Sequence, residues 1–165
     1  MNDAPPPMTD ISIVPLRPEA APEMFPGLSD KRAYRFISDE PPPTPEQLQE
    51  RYTRLATGAP PGQDAIWLNW IIRCGEDKVP AGYTQATLTE HEALIGYHVF
   101  PAFWRRGIAT AAVRLMLREI FARPEIRTVL ALVDTRNAGS IALLEKLGFV
   151  LVRTIENADF FSGAP

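Results

Sequence analysis

The run Leu94-Ile95-Gly96-Tyr97-His98-Val99-Phe100-Pro101-Ala102-Phe103-Trp104-Arg105-Arg106-Gly107-Ile108-Ala109-Thr110 leaves few folds open. Its first part is apolar and β-prone, its middle is a turn, and an amphipathic helix opens at Ile108. A strand that feeds a helix through a short turn gathers the helix's first N–H groups, which have no partners inside the helix. Such a cradle binds anions, and the helix dipole adds to the attraction. Gly107 lacks a Cβ and lets the turn approach a ligand closely, while Ala109 keeps the first helical turn narrow. Amides from Arg105 through Thr110 can then surround a diphosphate, with Arg105 and Arg106 adding longer-range attraction. The plain alternative is a solvated loop before an ordinary core helix.

The flanking sequence supplies a sheet for this unit. Residues 11–16 read as a first strand, and 65–73, 81–89 and 93–100 as three more. The short polar connections Gly75-Glu76-Asp77-Lys78 and Glu90-His91-Glu92 give an antiparallel meander. Thr44-Pro45-Glu46-Gln47 is a helix start, with Thr44 as N-cap, Pro45 at the first position and Gln47 closing a capping box. That helix should end near Ala56, before Gly58-Ala59-Pro60-Pro61-Gly62. Residues 18–28 stay ambiguous, weakly helical but interrupted by Pro22 and Pro26. The helix over 108–122 carries Ala109, Ala112, Val113, Met116, Leu117 and Ile120 at helical spacing. Residues 126–133 then read as a buried strand. Asn137 caps a short helix packed through Ile141, Leu144 and Leu147, and Gly148 suits its left-handed end. Residues 149–155 resume extended structure. The sum is an α/β (α+β) fold, a mixed twisted central sheet with helices on both faces. Residues 1–165 are expected to form one domain, with 1–10 flexible.

Composition narrows the function. A chain of 165 residues with 45% hydrophobic side chains supports one compact core. A net charge of -3 argues against a general nucleic-acid surface. No apolar run reaches membrane-spanning length, and the start lacks the pattern of an export signal, so a cytoplasmic, non-membrane protein is expected. The single Cys74 rules out an intrachain disulfide and reads as a small buried hydrophobe. His91 and His98 are the only histidines, and with Glu90, Glu92 and Asp134 they make no compact ligand set, so no metal is expected. Neither a Gly-rich loop ending in Gly-Lys-Ser/Thr nor a GxGxxG turn is present. An acyl-coenzyme A fits better, with phosphates at one end and a narrow arm that can lie along strand backbone.

Residues from about 11 to 155 resemble the GNAT superfamily of N-acetyltransferases, particularly its ribosomal-protein N-terminal acetyltransferase-like (RimJ/RimL-type) branch. The stretch from Gly96 to Thr110 looks like that branch's fourth strand and pyrophosphate loop. Of the superfamily pattern Arg/Gln-x-x-Gly-x-Gly/Ala, this chain keeps Gly107 and Ala109 but has Trp104 at the first position, as that branch often does, with Arg105 where many relatives have Gly. Asp134-Thr135-Arg136-Asn137-Ala138-Gly139-Ser140-Ile141-Ala142-Leu143-Leu144-Glu145-Lys146-Leu147-Gly148-Phe149 resembles the branch's Asn-x-x-Ser and Leu-Gly-Phe region. The resemblance implies an acyl-CoA N-acyltransferase fold with acetyl-CoA in a fork between two splayed parallel strands, near Val99 and Val133. It implies cosubstrate contacts from Val99, Phe100, Trp104, Arg105, Arg106, Gly107, Ile108, Ala109, Thr110, Asn137 and Ser140. Asn137 would hold the pantetheine or a water, and Ser140 would lie near the departing sulfur. The family also places a seventh strand between strands five and six. Phe160-Phe161 is too short to supply it, so that C-terminal strand is expected to be missing or rearranged.

With acetyl-CoA as donor, the expected reaction is direct attack by a primary amine in a ternary complex. An α-amine of pKa near 8 is roughly a tenth neutral at pH 7, a lysine near 10.4 only about one molecule in several thousand. Freeing the lone pair therefore costs about 1 and about 5 kcal/mol respectively, which favours an α-amine or another low-pKa amine. A strand amide near Val99 would receive the oxyanion. For the base, relatives carry a carboxylate where this chain has Leu94. Glu92, on the same strand face, ranks ahead of His98 as a water-relayed base. Tyr83 and Gln85 share a face that can line the acceptor cleft, joined by either Asn69 or Trp70. The expected partner is an amine-bearing small molecule or protein N-terminus, with a homodimer as one way to repair an open sheet edge. Transfer of another acyl group, or a weakened acyl-CoA-binding regulatory module, are the alternatives.

Overall fold

The computed structural model describes residues 9–156. In chain order the elements are β1 (Ile11–Pro15), α1 (Ala21–Leu28), α2 (Pro45–Thr57), β2 (Ile66–Cys74), β3 (Val79–Leu88), β4 (Glu92–Val99), α3 (Ile108–Phe121), β5 (Thr128–Ala131) and α4 (Ala138–Lys146). Most of the segment expected to be flexible, and Phe160-Phe161, lie outside the described residues.

Local chemistry explains the helix starts. The Thr44 side chain accepts from the Gln47 N–H at 3.1 Å, with Pro45 following in the first turn, where its missing donor costs nothing. The ambiguous stretch resolves in the same way. Pro18 opens a short 3-10 turn and Pro22 sits in the first turn of α1. Pro26 lies inside α1, and the helix stops within two residues of it, the Ser29 hydroxyl binding the Phe25 carbonyl at 2.8 Å. Gly148, at φ 92°, takes the left-handed position after α4.

The sheet runs β1-β2-β3-β4-β5. The first four strands pair antiparallel and β5 joins β4 parallel. Strand alternation sends Trp70, Ala86, Ala93 and Ile95 to one face, where they pack with Val113, Met116 and Ile120 of α3. Ile71 and Phe100 go to the other face, against Met24 and Leu28 of α1 and Leu48 and Tyr52 of α2. Val113, Met116 and Ile120 are fully buried, contributing roughly 1.5–3 kcal/mol each. The predicted stripe on α3 is the stripe observed.

Two expectations fail on the same edge. The fifth strand covers four residues and is half exposed, not buried; Leu132 just beyond it is 78% exposed. Residues 149–155 form no strand among the described residues, and Val150, Leu151 and Val152 are each above 80% exposed. Apolar composition marked both segments as strands, yet a strand is stabilised only by a neighbour. β5 has a partner on one side, and the segment after α4 has none among the described residues. Among the described residues the sheet is not fully closed, in keeping with a rearranged C-terminal strand.

Gly82 is the tightest point of the sheet. It pairs with Val99 next to an irregularity in the β2–β3 register and has φ 153°. A Cβ there would collide with the His98 carbonyl oxygen and come within 2.9 Å of the Val99 Cα. Gly82→Ala should therefore cost at least about 2 kcal/mol of folding free energy, measured by urea unfolding. An unchanged midpoint would show that the β3–β4 approach is looser than described.

Candidate active site

β4 keeps its pairing to β3 as far as Val99, but its pairing to β5 ends at Ile95–Ala131. Beyond that point the two parallel strands part and a wedge opens along Gly96 to Val99. The Phe100 N–H donates to the Ala81 carbonyl at 2.8 Å. Alternation therefore turns the Val99 N–H and C=O away from β3, toward the wedge. The Trp104 indole N–H donates to that Val99 carbonyl at 2.9 Å. Trp104 is thus a bracket that ties the loop to the end of β4.

The loop itself has the backbone geometry of an anion cradle. Arg105 at φ 63° and Gly107 at φ 76° both take the left-handed conformation before α3. No side chain caps α3, so the first-turn N–H groups of Ile108, Ala109 and Thr110 have no helical partners. Ile108 is fully buried and pins the helix start, while space beside Gly107 is open. These donors fit a diphosphate. A side chain in the left-handed region costs roughly 1–2 kcal/mol, so Arg105 carries local backbone strain.

On the far side of the wedge, Asp134 and Arg136 pair at 2.8 Å and shape the turn into α4. Asn137 caps that helix, its side-chain oxygen accepting from the Ser140 N–H at 3.1 Å. The Ser140 hydroxyl is hydrogen-bonded to the Tyr97 hydroxyl. Tyr97 reaches it from the α3 side of β4, and burial pushes its phenol up while the bond to Ser140 pulls the other way. Tyr97 was not singled out from the sequence. Its parity with Ile95 and Val99, which places it on the wedge side, is the signal that was there to use.

His98 points to the opposite face. It is 5% exposed, stacked on Tyr83 at 5.1 Å and met edge-on by Tyr34 at 5.2 Å. Its Nε2 has no hydrogen-bond partner. Burial pulls its pKa down to about 4, with Asp39 opposing that shift and Arg51 adding to it. Beside it, under α2, is a cavity of about 30 Å³ lined by Tyr34, Tyr52, Tyr83, Asn69 and Gln85, with Asp39 and Arg51 also on its wall. Of the two residues left open on β2, Asn69 faces this cavity side opposite Gln85, and the Trp70 ring belongs to the α3-side core.

Glu92 is not part of this arrangement. It is exposed at the start of β4, opposite Thr128, seven residues from Val99. That separation is about 23 Å along an extended strand, too far for one bridging water. The parity argument placed it on the right face at the wrong end. Cys74 is buried and its thiol is pushed up by burial, so it behaves as core. Among the described residues no cluster of three or more His, Cys, Asp or Glu could hold a metal, and no helix is long and apolar enough to cross a membrane.

A family model described as the acetyltransferase (GNAT) domain matches residues 10–150. The chain belongs to the GNAT acetyltransferases. A similar curated relative is the uncharacterized N-acetyltransferase YoaA of Bacillus subtilis (strain 168), 24% identical over 123 residues, 73% of this chain and 70% of that one. Among solved structures, RimL, a ribosomal L7/L12 alpha-N-protein acetyltransferase in complex with coenzyme A, superimposes with a TM-score of 0.82 at 18% identity, covering 96% of this chain and 90% of that one. A putative acetyltransferase from T. thermophilus gives 0.68 at 28% identity, covering 91% and 78%. The GNAT family and the mixed α/β fold expected from the sequence are both borne out. GNAT membership implies an acyltransferase that uses acetyl-CoA.

His98 in this GNAT domain links stability to pH. Folded, it titrates near 4, against 6.5 ordinarily, so between those values the unfolded chain binds more protons. Its contribution is complete above pH 6.5 and lost as pH falls toward 4, about 3 kcal/mol in all. The wild type should lose that much more stability than His98→Gln across this window in paired urea titrations. Equal losses would place the imidazole in contact with water.

Proposed function

We propose that this protein transfers an acetyl group from acetyl-CoA to a primary amine by direct attack in a ternary complex, with an α-amine or another low-pKa amine as acceptor. The observation that carries this reading is the hydroxyl pair of Tyr97 and Ser140 in the wedge, on the side of β4 to which the Val99 amide turns.

In this reading the amides from Arg105 to Thr110 hold the diphosphate and the pantetheine arm lies in the wedge along β4. The amine nitrogen attacks the thioester carbonyl carbon, and the new oxyanion accepts from the Val99 N–H. The C–S bond then breaks with its electron pair going to sulfur. A proton from the Ser140–Tyr97 hydroxyl pair neutralises the thiolate, and water reprotonates the pair. The attacking nitrogen loses its own proton to water. His98, buried and neutral at pH 7, serves as a hydrogen-bond acceptor that orients the amine; its low pKa makes it a poor store for a proton. Holding the two substrates together supplies much of the remaining acceleration.

Two measurements test this. Free coenzyme A should be released from acetyl-CoA only when an amine is present; release that ignores amine, or none with any amine, would sink the proposal. Tyr97→Phe and Ser140→Ala should each lower kcat about a hundredfold with KM changed only a few-fold. Ser140→Ala is a clean probe because the Asn137 cap uses the Ser140 backbone N–H.

A further inference from the structure

Asn69, Gln85 and Gly96 form one row across β2, β3 and β4, each directly opposite the next. Strand alternation puts the row on the α1/α2 face, and it ends one residue past Ile95–Ala131, the last pair between β4 and β5. Gln85 is exposed although β3 is the middle strand of five. Its side chain lies over Gly96, where a Cβ would stand 3.1 Å from the Gln85 Nε2 and 3.3 Å from its Cγ. Gly96 thus leaves the width that lets a carboxamide reach the start of the wedge from the face opposite α3.

The same side chain lines the cavity under α2, together with Asn69 and Tyr52. The Tyr52 hydroxyl is buried without a hydrogen-bond partner among the described residues. An unpaired buried hydroxyl costs stability, and about 30 Å³ is room for an ordered water. Two carboxamides and a phenol supply the polar partners that such a water needs. Gln85 joins the two places, since it lines the cavity and covers Gly96. Proton acceptors are scarce on this face. Leu94, two residues before Gly96, is apolar. Facing the cavity are Asp39 and Arg51, paired at 3.3 Å, and the phenols of Tyr34, Tyr52 and Tyr83, with His98 stacked behind Tyr83. Burial pushes all three phenols up, Tyr83 to about 12, so they stay protonated.

We propose that Gln85 is a positioning residue: its carboxamide, with Asn69 and the Tyr52 hydroxyl, anchors the water that takes the proton of the attacking amine. This rests on the amine-acetylation reading. As the C–N bond forms, an N–H bond of the amine breaks with its electron pair staying on nitrogen. The proton passes to this water and on to bulk solvent. A carboxamide takes up no proton in the neutral range, so Gln85 acts by orientation, and the amine must arrive already neutral.

The test measures coenzyme A release with glycinamide, ethanolamine and propylamine, which differ in pKa, from pH 5 to 9. Expressed per unit of neutral amine, wild-type kcat/KM should be flat across that range with each of them. Gln85→Leu should lower kcat about tenfold at an unchanged Tm, because the side chain it replaces is exposed. Gln85→Glu should keep its rate at pH 8 and add a fall toward pH 5 that no choice of amine shifts. A fall common to all amines in the wild type would mark a base in the enzyme and overturn the proposal. So would Gln85→Leu with kcat unchanged, a drop in its Tm that accounts for the whole loss, or Gln85→Glu with a flat profile. Should no amine be acetylated, the reaction proposal fails, and a high-resolution crystal structure of the wild type decides the water. One bonded to both Gln85 and Tyr52 sustains the anchor; none there overturns it.

Discussion

The site depends on one strand losing one neighbour. β4 stays hydrogen-bonded to β3 along its whole length but to β5 only over its first half. Had both ladders continued to Val99, every backbone group there would be consumed by the sheet. Because β5 leaves at Ala131, Val99 turns its N–H and C=O into open space, and Trp104 takes only the carbonyl. Sheet interiors rarely expose backbone polar groups, since unpaired ones are costly. In the proposed reaction, substrate takes the place of that missing strand.

The same strand separates two chemistries by alternation alone. Tyr97 and Val99 project toward α3 and α4, where the hydroxyl pair and the phosphate cradle lie. His98, between them in sequence, projects toward α1 and α2, among Tyr34, Tyr83 and Phe100. In the proposed reaction, donor and acceptor would approach one backbone segment from opposite faces. The collision waiting at Gly82 shows how closely β3 supports this segment from behind.

What could be read from the sequence was what neighbouring residues determine among themselves. The Thr44 cap, the Asn137 cap, the left-handed Gly148 and the stripe on α3 all depend on spacings of a few residues, and all stand as read. What failed depends on contacts between distant segments. The apolar runs around Leu130 and over 150–152 look like buried strands, but burial is conferred by a neighbour the sequence does not name. Glu92 shows the same limit in another form. Parity gave its face correctly, while its distance from the reacting centre depended on where β5 stops pairing, which is a fact about two strands.

Tyr97 and Tyr52 were overlooked for a related reason. A tyrosine in an apolar run, or on a helix with Leu48 and Leu55, looks like core whose hydroxyl finds some partner. Only the folded chain shows that one hydroxyl meets Ser140 from another element and the other meets nothing. In the proposed reaction the first supplies the proton where sulfur departs. The second is a buried hydroxyl without a hydrogen-bond partner among the described residues. Both come from asking of each buried polar atom where its hydrogen bond goes, a question with a definite answer at every position.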